Sequence, residues 1–228
     1  MQPFEALLEE AVAFHGHLCP GQVLGVRMAI AGCRALGIDE PKAAGKALAV
    51  FVEINRCAAD ALQSVTGCSL GRRNLWHVDY GKMAATFADL PAARAVRVVA
   101  RDDARERVAH YVPGIRDARR AQTEGYGLMP DAELFALAPV AILPGWLDRR
   151  RGRVVCGRCG EGVNYGRETW AEGTVLCRPC AGDRYCVALA GRTSPAVPSG
   201  GAALTRASRA GARGRRRMPR ASARRPEG

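Results

Sequence analysis

The stretch FHGHLCPGQVLGVRMAIAGCRALG, residues 14–37, combines a short polar turn with a long apolar segment. Gly16 and Pro20 predict a turn, with Pro20 at the first helical position, where a missing N–H leaves no helical hydrogen bond unmade. The helix should end at about Leu36, because Gly37 can adopt the left-handed conformation of a helix C-cap. Its apolar residues lie on most sides and include small ones, so we expect a buried and closely packed helix.

The segments around this helix carry both helix and strand patterns. Residues 3–13 have the apolar spacing of an amphipathic helix, and residues 47–54 (ALAVFVEI) have the β-branched content of a buried strand. Similar patterns predict helices over 57–65, 102–122 and 131–137, and strands over 82–88, 95–100 and 140–143. This mixture predicts an α+β fold, with a mixed helix and strand core domain over residues 1–147.

Three further segments follow the core domain. We expect residues 148–153 to form a polar linker, residues 154–190 a small zinc-binding module, for which the cysteine spacing is described below, and residues 191–228 a basic tail. The tail contains ten arginines and Glu227 as its only acid, so it carries +9 of the chain's net charge of +12. With few large apolar residues it cannot offset the entropy of ordering, and we expect it to be disordered. Such tails attract nucleic acid weakly and non-specifically, but no aromatic residues interleave with these arginines.

Length and composition indicate an ordinary globular protein. The chain has 228 residues, of which 48% are apolar and 25% charged. Its uninterrupted apolar runs are far shorter than the roughly 20 residues that a membrane-spanning helix needs. The first residues are acidic and lack a basic segment, so we expect neither a secretory signal nor a transit peptide. These features predict a cytoplasmic protein with no membrane association.

Four cysteines near the end of the chain have the spacing of a zinc site: Cys156, Cys159, Cys177 and Cys180. Two cysteines on a tight knuckle can direct both sulfur atoms at one ion, and a hairpin returns the second pair. Residues 163–165 and 170–176 are the expected hairpin strands. A closed site of this kind binds Zn²⁺ structurally and says nothing about catalysis. Cys186 is left over, and we expect it to be a packed thiol.

His15, His17 and Cys19 lie within five residues at the predicted turn. A thiol at a helix N-terminus is pushed toward the thiolate by the helix dipole. The two imidazoles add further ligands or proton carriers. Three soft ligand groups this close together favour a site over core packing. Cys33, by contrast, lies in the middle of the predicted helix and is expected to be a packed core residue.

A second set of ligand-type residues follows the predicted buried strand. Cys57 and Asp60 are three residues apart and share one helical face. The other candidates in this part of the chain are Glu53, Cys68, Asp79 and Lys82. We predict one cleft, in which His17, Cys19 and Cys57 hold a second transition metal. Cys19, His15 and Asp60 are the candidate catalytic groups. Sulfur with imidazole favours zinc, iron, nickel or copper over magnesium or calcium.

Four motifs occur in order along the chain: FHGHLCPGQVLGVRMA (14–29), E-x3-C-x2-D-x2-Q (53–63), TGCSLG (66–71) and DYGK (79–82). Together they resemble the E-subunit family of formylmethanofuran dehydrogenase over about residues 3–147. The resemblance implies an α+β core domain, a homodimer, a metal-binding or active-site cleft and a following zinc-finger-like domain. It also implies a molybdenum or tungsten dehydrogenase as partner. Carried over to this sequence, the family's site is His15, His17, Cys19, Glu53, Cys57, Asp60 and Cys68, with Asp79 and Lys82 nearby. Arg72 and Arg73 depart from the smaller turn expected after TGCSLG.

These features support three functions. The first is a metal-binding accessory protein or subunit associated with a molybdenum or tungsten oxidoreductase of one-carbon (formyl or formate) metabolism, which explains both cysteine sets. The second is a stand-alone metalloenzyme, with Cys19 or a bound water as the nucleophile. The third is a zinc-dependent regulator that binds nucleic acid, which leaves the histidine and cysteine turn without a role. The chain has no glycine-rich dinucleotide or phosphate motif, so no such fingerprint supports redox chemistry by this chain alone.

Overall fold

The computed structural model describes residues 1–148, 152–171 and 173–187. The chain divides into two compact units, Met1–Asp148 and Arg149–Gly228. We call the first the core unit and the second the cysteine module. The disordered tail predicted for residues 191–228 and the middle of the predicted linker lie outside the described residues, so both stay predictions. No helix among the described residues combines the length and the apolar content needed to cross a membrane.

The core unit contains seven helices and five strands among its described residues. The helices are α1 (Phe4–His15), α2 (Pro20–Leu36), α3 (Pro41–Ala44), α4 (Cys57–Thr66), α5 (Ala104–Tyr111), α6 (Ala118–Leu128) and α7 (Asp131–Leu134). The strands are β1 (Leu48–Val52), β2 (Leu75–His77), β3 (Ala84–Asp89), β4 (Arg94–Ala100) and β5 (Phe135–Val140). A 3-10 turn, Gly45–Ala47, leads into β1. This arrangement confirms the predicted α+β class.

The five strands form one sheet in the order β2-β1-β3-β4-β5. β1 pairs with β2 in parallel, with Val50 opposite Leu75, and the remaining neighbours pair antiparallel. Because side chains alternate across a strand, β1 contributes to two cores. Val50 and Val52 pack under the helices, whereas Phe51 faces the other side and stacks on Trp76 at a centroid distance of 4.7 Å.

Helix α2 is the centre of the core unit, in contact with α1, α4, α6, β3 and β4. It begins at Pro20 and ends at Leu36, with Gly37 in the left-handed conformation at φ 72°, as the sequence predicts. Its glycines allow close packing. A Cβ on Gly25 would lie 2.6 Å from the Ala61 Cβ on α4, and a Cβ on Gly32 would lie 2.2 Å from the Phe87 ring on β3.

The predictions fail at the end of the core unit. The short helix α7 ends at Leu134 instead of Leu137, and the last strand is Phe135–Val140 instead of residues 140–143. The residues in question, Phe-Ala-Leu-Ala-Pro-Val, contain good helix formers. They nevertheless extend, because all six pair with β4, from Phe135 opposite Ala100 to Val140 opposite Ala95. Tertiary pairing outweighs local preference here.

The described residues of the cysteine module form two separate hairpins. β6 (Arg153–Val155) pairs with β7 (Gly162–Asn164), and β8 (Glu168–Ala171) pairs with β9 (Thr174–Cys177). The prediction of one hairpin between residues 163–165 and 170–176 is therefore wrong. Gly173, at φ 74°, lies in a turn within the segment predicted as a single strand. Each cysteine knuckle thus has its own local hairpin.

Candidate functional site

The N-terminal turn connects the end of helix α1 to the beginning of helix α2. Helix α1 ends at His15, and Gly16 adopts the left-handed conformation at φ 94°, which side-chain-bearing residues avoid. Cys19 is the N-cap residue of α2. This reversal of the chain brings the His15 and His17 rings to a centroid distance of 4.6 Å. The turn therefore collects its three ligand-type side chains in one place.

His15 is fixed from one side by α4. Its Nδ1 lies 2.7 Å from Oδ2 of Asp60, a residue 45 positions further along the chain. Because a carboxylate can only accept, Nδ1 carries the proton in this contact. In a neutral imidazole the lone pair is then on Nε2. This atom is buried and has no hydrogen-bond partner among the described residues. A carboxylate on one nitrogen and an unpartnered second nitrogen is the usual arrangement of a metal-binding histidine.

His15, His17 and Cys19 together form a candidate metal-binding group. Their ligand atoms all lie within 4.8 Å of one another. Small side-chain rotations bring such atoms to the 2.0–2.3 Å typical of zinc ligation. Two imidazoles and one thiolate suit zinc and related transition metals. The donor set and the buried Nε2 of His15 both fit a metal ion.

Cys57, the predicted third ligand, lies beside this group without being one of the three. It is the first residue of α4 and is half-buried. Burial and a hydrogen bond with the Cys19 thiol raise the pKa of Cys57. Gly21 makes room for it, because a Cβ at that position would lie 2.9 Å from the Cys57 Cβ. The structure therefore brings together His15, His17, Cys19, Cys57 and Asp60.

Gln22 supports this arrangement and was not singled out from the sequence. Its side chain is completely buried in α2, and Nε2 donates a hydrogen bond of 2.6 Å to the carbonyl oxygen of Cys57. Its Oε1 has no partner among the described residues. The contact ties the start of α4 to the first turn of α2. A polar residue inside an otherwise apolar helix, two positions after Pro20, is the signal that could have identified it.

Glu53 and Cys68 do not join the group. Glu53 is buried and accepts two hydrogen bonds from Arg97, at 2.6 and 2.7 Å. It lines a pocket together with Phe51. This pocket lies on the face of the sheet opposite to the one on which Val50 packs against the helices. The Cys68 thiol is completely buried and donates to the Leu48 carbonyl at 3.6 Å. Burial raises its pKa to about 11, which is typical of a packed core thiol.

Asp79 and Lys82 lie on the surface and do not belong to the group of His15, His17 and Cys19. Asp79 lies 3.9 Å from His77, and the Lys82 ammonium lies 6.0 Å from the centre of the Tyr80 ring. Both residues are exposed.

Cys33 is completely buried, and burial raises its pKa to about 12, in agreement with the predicted packed core residue.

The cysteine module contains a second candidate metal group. The sulfur atoms of Cys156, Cys159, Cys177 and Cys180 all lie within 4.8 Å of one another. Hydrogen bonds from the backbone of Cys159 and Cys177 lower the pKa of Cys156 to about 6. The hydrogen bond with the Cys177 thiol is the largest cause raising the pKa of Cys180, to about 12. Four converging thiols fit a closed tetrahedral metal site. Cys186 is exposed, so the expectation of a packed thiol is wrong.

Similar proteins are known for both sequence and fold. A family model described as "FmdE, Molybdenum formylmethanofuran dehydrogenase operon" matches residues 14–136. A protein from Archaeoglobus fulgidus described as "Probable S-adenosyl-L-methionine-binding protein" is 42% identical over 94 residues. This match covers 40% of the present chain, which spans only 26% of that relative's length.

One solved structure extends the comparison to the fold. It is the crystal structure of a protein from Syntrophus aciditrophicus that is described as similar to FmdE of a tungsten formylmethanofuran dehydrogenase. It matches with a TM-score of 0.58 and 22% sequence identity, covering 81% of the present chain and 95% of its own. At this level of identity the match demonstrates a shared fold.

Proposed function

The chain belongs to the FmdE family, and from this premise we propose that it is a metal-binding accessory protein or subunit of a molybdenum or tungsten oxidoreductase of formyl or formate metabolism. An accessory role related to formylmethanofuran dehydrogenase agrees with the family match and the similar fold. The proposal adds the class of partner enzyme and the metal at the N-terminal turn. Zn²⁺ in the cysteine module, a homodimer and a cytoplasmic location also belong to it.

The observation that carries the proposal is the environment of the two ring nitrogens of His15. Its Nδ1 is held by Asp60, and its Nε2 is buried without a hydrogen-bond partner among the described residues. One ligand atom each of His15, His17 and Cys19 lies within 4.8 Å of the other two. A buried, unpartnered ring nitrogen costs on the order of 1–3 kcal/mol unless something binds it. A metal ion at that point satisfies the nitrogen and explains why three soft ligands converge there.

We assign the residues of the N-terminal site by their contacts. His15, His17 and Cys19 are the ligands, which replaces the set of His17, Cys19 and Cys57 expected from the sequence. Asp60 positions the His15 ring and fixes its proton on Nδ1, and Cys57 lies next to Cys19. A transition metal held by three protein ligands supplies a Lewis acid with a coordination position open to a ligand.

The decisive experiment counts metals in the purified full-length protein and locates them. We expect two metal ions per chain. Cys177→Ser should lose the module's metal and keep the core metal, while Cys19→Ala should do the reverse. Cys186→Ser serves as the control for thiol removal, because Cys186 is exposed and outside both groups. Two metals retained in Cys19→Ala, with the chain folded, would contradict the N-terminal site.

A stand-alone metalloenzyme is the second candidate, because a cavity lined by Cys19 and Cys57 opens beside the site. The partner enzyme distinguishes the two. Protein tagged in its native cells should purify with stoichiometric molybdenum or tungsten if it is an accessory subunit. Purification without either element would favour the stand-alone enzyme. The nucleic-acid-binding regulator rests largely on the tail, which lies outside the described residues, and stays a sequence-based prediction.

A further inference from the structure

A cavity of about 300 Å³ opens beside the N-terminal site, on the side of the cysteines. Cys19 and Cys57 line it together with residues from the end of β4 and from helices α5 and α6. Its size lies at the lower end of the range for small-molecule sites, roughly 300–1,000 Å³. The cavity therefore suits a small molecule that can touch both thiols.

The wall of this cavity is strongly cationic. Its arginines are Arg56, Arg101, Arg105 and Arg119, and Asp102 is its only acid. Among the described residues, Arg101 is the only one of the four in an ion pair, at 3.4 Å from Asp103. Four positive charges around one small opening, three of them without an acidic partner in the described part of the chain, produce a field that attracts anions.

Two further features of the wall favour an anion with an apolar body. Leu24, Met83 and Tyr126 provide apolar surface beside the arginines. Helices α2 and α4 both begin at this wall, and neither has a side-chain cap on its first N–H groups. Uncapped helix starts add positive partial charge on the same side as the arginines.

We propose that this cavity is the ligand pocket of the N-terminal site and that it binds a small organic anion, a carboxylate or a phosphate ester. The arginines of the wall hold the anionic group, and the remainder of the molecule reaches Cys19 and Cys57. The link to a metal-dependent role rests on the proposed function. The cationic character of the pocket rests on the arginines alone.

Three ligands that share a phenyl ring test the charge requirement: benzoate, phenyl phosphate and benzamide, which is neutral and matches benzoate in shape. Each is titrated into full-length, metal-loaded protein by calorimetry. We expect benzoate or phenyl phosphate to bind one per chain, at least tenfold more tightly than benzamide. The stronger of the two anions identifies the anionic group. Benzamide binding as tightly as both anions, or no binding of either anion, would overturn the proposal.

A double variant tests the site. Arg105→Gln with Arg119→Gln should weaken anion binding by about tenfold for each charge-assisted contact removed, without changing the metal content. The matched control is Arg120→Gln, because Arg120 is also on α6 but pairs with Glu124 at 2.7 Å and does not line the cavity. Unchanged binding in the double variant would overturn the proposal.

Metal counts keep this inference distinguishable from the proposed function. A chain that holds only the module's metal but binds benzoate through Arg105 and Arg119 contradicts the proposed function and supports the anion pocket. A chain that holds two metals but binds neither anion supports the proposed metal site and contradicts the anion pocket.

Discussion

The imidazole of His15 has one nitrogen hydrogen-bonded to the Asp60 carboxylate, and the other is buried without a hydrogen-bond partner among the described residues. In the proposed N-terminal site, Asp60 is therefore the residue through which α4 positions a metal ligand without being a ligand itself. Contacts of this kind raise the basicity of the ligand and hold its ring in place. The side chain of Asp60 is about half exposed, with 48% of its surface accessible, so the contact stabilises the fold only weakly.

We predict that Asp60→Ala weakens metal binding at the N-terminal site by about 10–100-fold, because the His15 ring loses its orientation and its fixed proton. Asp60→Asn keeps an acceptor oxygen and should recover part of the loss. Affinity is measured by competition with a chromophoric chelator in the Cys177→Ser background, which leaves one metal site. Asp79→Ala is the control, as that carboxylate is exposed and pairs only loosely with His77. Equal affinities in Asp60→Ala and Asp79→Ala would show that Asp60 has no positioning role.

Among the elements, α2 has two roles. It starts after Cys19, a ligand of the proposed N-terminal site, and it packs against α4 more closely than a side chain at Gly25 would allow. Gly25 faces the backbone of Ala58, which would lie 2.9 Å from an added Cβ. The α2–α4 contact also brings Cys57 next to Cys19. Packing of this helix pair is thus part of the construction of the site.

We predict that Gly25→Ala destabilises the core unit by a net of about 1–2 kcal/mol. Overpacking costs about 1–3 kcal/mol, and the better helix propensity of alanine offsets up to about 1. Gly127→Ala, in α6, is the matched control, since the nearest atom would be the Phe4 ring at 3.7 Å, an ordinary contact. It should be neutral or slightly stabilising. Urea unfolding of both variants measures the difference, and an equally stable Gly25→Ala protein would contradict the close approach of α2 and α4.

The sequence predicts elements whose signals are local. Pro20 and Gly37 mark both ends of α2, and the cysteine spacing predicts the second metal group. The sequence does not predict on which face of the sheet the side chain of Glu53, which follows β1, lies. Because strand residues alternate, Glu53 shares the face of Phe51 and meets Arg97, a partner 44 positions away. The same applies to the His15–Asp60 contact, which depends on the docking of α1 and α4.

At the scale of the whole molecule, we expect the two compact units to depend on metal to different degrees. The core unit has a large apolar interior, whereas the buried residues of the module's cluster are Cys156, Leu176 and Cys177. A core this small cannot offset the entropy of ordering the chain, so we expect metal binding to supply the folding free energy of the module.

We predict that a strong chelator at neutral pH, or acidification, unfolds the module and leaves the core unit folded. Acid acts in this direction because the ligands must be thiolates, and protons compete with the metal as the pH falls. Limited proteolysis should then cut within residues 152–187 and leave a resistant fragment that ends near Asp148. A module that resists protease after its metal has been removed would contradict this dependence.

His15 and Asp60 both lie early in the chain, and this position affects the order in which the two candidate metal groups can form during synthesis. Every residue of the N-terminal site precedes the first cysteine of the module in the chain. Domains generally fold as units in the order in which they are made, at about 5–20 residues per second. The core unit can therefore bind the proposed metal while the last module cysteines are still untranslated, for a period on the order of seconds. A chain interrupted before Cys156 would retain all of its core ligands and lack only the second site.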